Sequence, residues 1–461
     1  MKMKNSVIAL IVALFSITPF TSLADSFVTA GDGTTYSFAT LATIPSSGVT
    51  LGSDSYVLEG NVEISEGDFF VMDSGATIRF ADSAELLIKG IATLSPEETT
   101  TLTITHEALR PYNVEVWGGD HQVLVSNLNF EFVGLRCQCP YGMEVRDCQF
   151  TDHAGTQGAA LFLGPDGAPF KIEDCHFAYN QKAAIASAAN YFCPIEIANC
   201  SFYYNSTANN NIPQLNLTAS PQVIVRDCEV IGDPNHNMVG GIGISNFYGT
   251  EGFKVTIENN TVKDNRYGIS TMGVMDVEIR GNQLIDNCHE SNAMNGGSGI
   301  SLYDPYMKQT AVVSGNYIEN SLWGITVIGC GDVNIGRVDV DESDERYNAG
   351  GNVFKYNGNG GALYDLYNNS TQTVYAQGNH WNVDEQTEEK IEGVVFHQND
   401  DPSLGEVIFM PPLESTGITE AAHVDGPTSI YRIDGTQVRG EHVDALPKGL
   451  YIVGGKKRVV R

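Results

Sequence analysis

Val277-Glu278-Ile279-Arg280-Gly281-Asn282-Gln283-Leu284 contains the decision about the fold. Apolar residues alternate through Val277, Ile279 and then Leu284, with a glycine and an asparagine breaking the run. Alternation with period two describes a short strand with one face turned inward, and the break describes a tight corner. The same phrase recurs ten times between residues 128 and 379. Its anchors fall at 128, 148, 175, 200, 228, 260, 282, 316, 352 and 379. Each anchor follows a φ-x-φ strand such as MEVRD, FKIED, IEIAN, VIVRD or VTIEN, and no stretch between anchors has helical spacing. A repeat of about 20 to 50 residues built from one supersecondary unit is a solenoid, propeller or array. Short strands broken by Gly, Asn and Asp make each repeat one coil of a parallel β-helix.

The anchor residue supports that reading chemically. It is Cys at 148, 175, 200 and 228, then Asn at 260, 282, 316, 352 and 379. Coils stack roughly 4.8 Å apart, so equivalent side chains meet one another. An inward Asn can donate to one neighbour and accept from the other, which satisfies a group that costs about 1–3 kcal/mol to bury unpaired. Cys fills the same slot as a small hydrophobe, so these four are expected as buried thiols and not as a disulfide framework. The chain has nine Cys, an odd number for an exported protein, which leaves at least one thiol free. Cys137 and Cys139 lack further ligands at zinc spacing.

This pattern resembles the right-handed parallel β-helix proteins of the pectate-lyase-like kind, over Val71 to Leu413. The resemblance implies an all-β, single-stranded solenoid of about 11–13 coils with a small C-terminal β module. It speaks to fold far more than to activity. The closing stretch, with Gly378-Asn379-His380-Trp381, Ile391-Glu392, His397 and Asp400-Asp401-Pro402, resembles the final coil of many secreted β-helix repeat proteins, departing at Asn382 where Gly is usual.

Residues 1–24 read as a signal peptide: Lys2 and Lys4, the apolar run Val7 to Phe15, then Ser22-Leu23-Ala24 as the cleavage site. Residues 25–100 are expected to hold the N-terminal cap and first coils, 101–413 the β-helix, 414–428 a linker and 429–461 the β module. In that module Ile430-Tyr431-Arg432, Asp434-Gly435 and Leu446 to Val453 resemble C-terminal modules of exported Bacteroidetes proteins, including type IX sorting signals. The resemblance implies contact with an export machinery and a secreted or surface-attached location. No transmembrane segment is expected in the mature chain, and a monomer is expected.

A formal charge of −30 argues against nucleic acid and anionic membranes, which require a basic stripe. It also disfavours polyuronates unless metal ions bridge the like charges. The residue sets of polygalacturonase-like enzymes, Asn-Thr-Asp, paired Asp, Gly-His-Gly and Arg-Ile-Lys, do not occur together. A lyase would use an Arg or Lys base beside calcium, for which Arg146, Arg226 and Arg280 are the candidates, although an Arg there is ordinarily solvated.

Aligning the strands that follow glycines puts Asp304 and Asp365 in one column, two coils and roughly 9.6 Å apart. Gly329 would open a dip between them. Inverting glycosidases hold their carboxyls about 6.5–9.5 Å apart. Against this, Asp and Gly are also simply turn residues. Tyr303, Tyr306, Tyr364 and Tyr367 flank the pair and would offer rings to a sugar. The acidic run at Asp339, Asp341 and Asp344 is a candidate Ca2+ site, although a charge run is ordinarily a solvated loop. The favoured reading is a non-catalytic protein that binds an extracellular polysaccharide or surface partner. The alternative is a glycoside hydrolase or polysaccharide lyase.

Overall fold

The structure, a computed structural model, describes residues 26–413 except 82, 106–109 and 156–157. Beyond them it describes four strands, Ile430–Arg432, Gln437–Val438, Gly449–Val453 and Lys456–Val460. The expected leader and the linker 414–428 lie outside the described residues. The four strands pair antiparallel into one sheet. No helix among the described residues is long and apolar enough to cross a membrane.

Residues 26–413 form an all-β parallel β-helix. Each full coil lays one strand on each of three faces, as in Ile269–Gly273, Asp276–Arg280 and Gln283–Ile285. Face 1 has 14 strands, face 2 has 11 and face 3 has 13. Strands from successive coils pair parallel, except that Val49–Leu51 and Tyr56–Leu58 at the start of face 3 pair antiparallel, and along face 1 the register carries Ile269 to Ile300 and Ile300 to Ile325. This stacking buries one continuous aliphatic core. Where the repeat phrase ends in Phe, the rings form a stack: Phe130 on Phe150 at 4.5 Å, Phe150 on Phe177 at 4.7 Å and Phe177 on Phe202 at 5.1 Å.

The corner from face 2 to face 3 explains the repeat phrase. Its first residue, Asn127, Asp147, Asp174, Asn199, Asp227, Asn259, Gly281, Gly315, Gly351 or Gly378, has φ between 52° and 72°. Gly, and less often Asn and Asp, occupy that left-handed region at low cost. The next residue then turns inward. Asn260 N–H donates to Asn282 Oδ1, Asn282 N–H to Asn316 Oδ1, Asn316 N–H to Asn352 Oδ1 and Asn352 N–H to Asn379 Oδ1, each at 2.9–3.0 Å. Their amide groups reach carbonyls of the preceding coil, Asn282 to Ile257 O and Asn316 to Ile279 O. Cys148, Cys175, Cys200 and Cys228 continue the column as free buried thiols that donate to carbonyls. Burial and the neighbouring thiols push Cys175 well above the usual thiol range.

A second polar ladder occupies the corner from face 3 to face 1. Asn180 donates to Asn205, Asn205 to Gln214, Gln214 to Asn265 and Asn265 to Asn287. Its sequence signal is an Asn three residues after the large apolar residue of the phrase, as in Phe177 with Asn180 and Leu284 with Asn287.

The last coil is closed by helix Glu388–Glu392 and two short strands, Val395–Phe396 and Val407–Ile408, which pair onto faces 1 and 2. Trp381 is fully buried and stacks on Phe354 at 5.0 Å. His397 accepts the Val407 N–H at Nδ1 and faces Glu392 from Nε2 at 3.1 Å, tying the helix to the final strand.

Candidate glycan-binding face

The face 1 register decides which of the predicted residues come together. Tyr303 pairs with Ile328 and Ile328 with Asn369, so Asp304 continues to Gly329 and Ser370. Leu366 pairs with Ile325 and Ile325 with Ile300, so Asp365 is level with Gly324 and Gly299. The two Asp therefore stand at opposite ends of face 1, roughly 19 Å apart by strand rise and spacing. Gly329 borders Asp304 alone. The expected carboxylate pair is not formed, because Gly358–Leu363 makes a small antiparallel hairpin instead of a face 1 strand. Gly360 and Gly361, at φ 60° and 89°, form its tip, and the strand begins only at Leu366.

Each Asp is fully buried and serves the backbone around it. Asp304 accepts the N–H groups of Tyr306 at 3.0 Å, Lys308 at 2.7 Å and Gln309 at 2.7 Å, which fastens the loop leaving face 1. Asp365 accepts from Asn382 N at 2.8 Å and Asn357 Nδ2 at 3.3 Å. Burial pushes its carboxyl up to about 7 despite those bonds.

The other candidates are placed as plainly. Asp339 faces Arg337, Asp341 accepts from the amide and hydroxyl of Ser343, and Asp344 is held by Arg346. Arg346 keeps the Asp344 carboxyl well below its usual range. The three carboxylates are spent on separate partners, and no group of three His, Cys, Asp or Glu among the described residues converges as metal ligands. Carboxylates are the right donors for Ca2+, but these three do not converge on one point. Arg146, Arg226 and Arg280 lie on the outer side of face 2 in ion pairs with Glu144, with Glu196 and Asp227, and with Glu258 and Glu278.

The tyrosines divide. Tyr303 and Tyr364 are not in one column, and Tyr306 is 72% exposed on the loop between faces 1 and 2. Tyr364 and Tyr367 do meet, through Trp323. Its ring lies 4.7 Å from Tyr364 and 5.1 Å from Tyr367, nearly parallel to the latter, and Phe396 meets Tyr367 edge-on at 5.0 Å. All four rings are half-buried on the outer side of face 1. Trp323 Nε1 donates to Ala293 O at 3.0 Å, which fixes the indole against the loop preceding Ser298–Tyr303. Sequence alignment missed Trp323 because it stands before the glycine that set the column.

Beside these rings the outward positions are small and polar. Ser270, Ser301 and Thr326 are level with one another and lead to Tyr367 and Phe396. Ser298 Oγ and Thr326 Oγ1 share a hydrogen bond of 2.8 Å. Toward the N-terminal coils this strip is closed: a Cβ on Gly243 would lie 2.8 Å from Pro213 Cγ, and Ile212 packs against Ala186 and its neighbours. The open surface is therefore the aromatic wall with Ser270 and Ser301 beside it, while Thr326 and Ser298 are buried and spend their hydroxyls on each other.

The family model of the right-handed β-helix region matches residues 133–304, and the fold is a right-handed parallel β-helix. Two mutant forms of the periplasmic alginate epimerase AlgG are similar in structure, each with a TM-score of 0.45. One is 12% identical, covering 82% of this chain and 81% of that chain, and the other is 11% identical, covering 84% and 83%. A further AlgG structure has a TM-score of 0.37 at 10% identity, covering 70% of this chain and 83% of that one. No curated protein sequence matches the chain.

Proposed function

We propose that this protein binds an extracellular glycan on the outer side of face 1, on the platform of Trp323, Tyr364, Tyr367 and Phe396. The observation that carries the reading is this ring cluster, held half-open with Ser301 in the adjoining coil. Aromatic faces pack on the apolar faces of sugar rings, and the adjacent hydroxyls can donate to and accept from sugar hydroxyls. Binding without hydrolysis is favoured because Asp304 and Asp365 are separated, buried and engaged by backbone amides. Export through the leader at residues 1–24, and surface attachment through residues 429–461, suit a partner outside the cell.

A glycan array with the mature protein, followed by affinity electrophoresis in the best glycan, tests this. Trp323→Ala and Tyr367→Ala each weaken retention by about 0.5–1.5 kcal/mol, roughly two- to twelvefold, with an unchanged fold by circular dichroism. Tyr306→Ala, on the far loop, leaves retention unchanged. Equal retention of all three variants and the parent places the site elsewhere, and release of reducing sugar by the parent would favour the enzyme reading.

A further inference from the structure

Arg266 precedes the face 1 strand Ile269–Gly273 and is 9% exposed. Its Nη1 donates to Asn211 Oδ1, while Nε is shut away from solvent with no partner. It has no ion pair among the described residues, unlike Arg226, Arg280 and Arg346. Burying a charge costs several kcal/mol unless it is paired and hydrogen-bonded, and a guanidinium has five N–H donors to satisfy. Asn211 meets one of these donors, and Nε is left buried and unmet. A chain of net charge −30 has carboxylates in abundance, yet among the described residues none pairs with this one. The buried acid on the adjoining loop, Glu290, turns to the Asn292 amide at 3.0 Å.

The surroundings are built around the guanidinium. Gly296, at φ 147°, passes bare backbone over it, and a Cβ there would come within 2.9 Å of Nε. Asn211 sits in a loop braced where Asn209 Nδ2 donates to Asn237 Oδ1 and Asn209 Oδ1 accepts the Met238 N–H. Arg266 N–H holds Val239 O at 2.7 Å. The next residue, Tyr267, is level with Ser298 and Trp323 along the edge of face 1. Arg266 therefore lies about two coils, roughly 9.6 Å, ahead of the ring platform.

We propose that Arg266 anchors an oxyanion subsite at the head of the platform and takes one carboxylate or sulfate group carried by the bound glycan. The inference rests on the platform reading for its ligand class. One guanidinium within so negative a molecule suits an isolated acidic substituent on an otherwise neutral chain, since a polyanion would meet repulsion along the rest of its length.

The test titrates the mature full chain with glucose, glucuronic acid and glucose 6-sulfate at constant ionic strength, by ligand-observed NMR. The parent binds at least one charged sugar about tenfold or more tightly than glucose, as a charge-assisted hydrogen bond provides, and the better of the two identifies the group. Arg266→Gln abolishes the preference. Asn211→Asp also abolishes it, by placing a carboxylate against Nη1, and raises the melting temperature; this variant keeps the test open if Arg266→Gln fails to fold. Equal binding of the three sugars by the parent, or a preference that survives both substitutions, overturns the subsite. If Trp323→Ala loses glucose while Arg266→Gln matches the parent, the subsite fails and the platform stands. If the charged-sugar preference disappears in Arg266→Gln while Trp323→Ala changes nothing, the platform fails and the subsite stands.

Discussion

Asp365 shows how one side chain can resemble a catalytic acid and serve the fold. Its carboxyl is fully buried between the Asn382 amide and Asn357, and its pKa is pushed up to about 7 from 3.8 because desolvation outweighs both bonds. The native state therefore holds this proton more tightly than the unfolded chain does. Stability from this residue is fully present below pH 3.8 and is lost as pH rises through about 7. Asp365→Asn removes the titration while keeping a carbonyl oxygen for the Asn382 amide. Melting temperatures of the variant should fall less than those of the parent between pH 4 and pH 7, and identical profiles would contradict the assignment. Asp304 differs in that its carboxyl group is held by three backbone amides, those of Tyr306, Lys308 and Gln309.

At the scale of the repeat, the phrase Asp/Asn/Gly followed by Cys/Asn is a left-handed corner followed by an inward hydrogen-bonding or thiol position. Asn316→Leu removes the acceptor of the Asn282 N–H and the donor to Ile279 O. Asn282→Leu does the same for Asn260 N–H and Ile257 O. Each should lower unfolding free energy by about 1–3 kcal/mol in urea titrations, since the partners cannot reach water. An unchanged midpoint and slope for both variants would remove the ladder from the stability of the coil. The phrase was legible because its φ constraint selects three residue types at one position in ten coils. The second ladder was hidden because it runs through Gln214, which breaks the run of Asn, and through loops of unequal length. The hairpin at Gly358–Leu363 misled the strand alignment for a related reason: glycine marks both a strand start and a turn, and only pairing distinguishes them.

For the whole molecule, three in-register faces place side chains far apart in sequence on one surface. Trp323, Tyr364, Tyr367 and Phe396 come from three successive face 1 strands and a hairpin end, and the closing helix and strands shield the final coil. The export reading belongs at this scale. Intact mass of protein recovered outside the cell should begin at Asp25, and its C-terminal end reports whether residues 429–461 are retained; a mass retaining Met1 would contradict the leader. The sequence by itself determined the coil, its period and its first ladder, because those depend on local dihedral preference and on like residues meeting at each turn. Only the tertiary structure decided that Asp304 and Asp365 are apart, that Tyr364 and Tyr367 share a tryptophan, and that Arg266 is buried without a counter-charge among the described residues. These depend on the register between strands 25 to 40 residues apart and on how loops of unequal length cover the outer face, which no local pattern encodes.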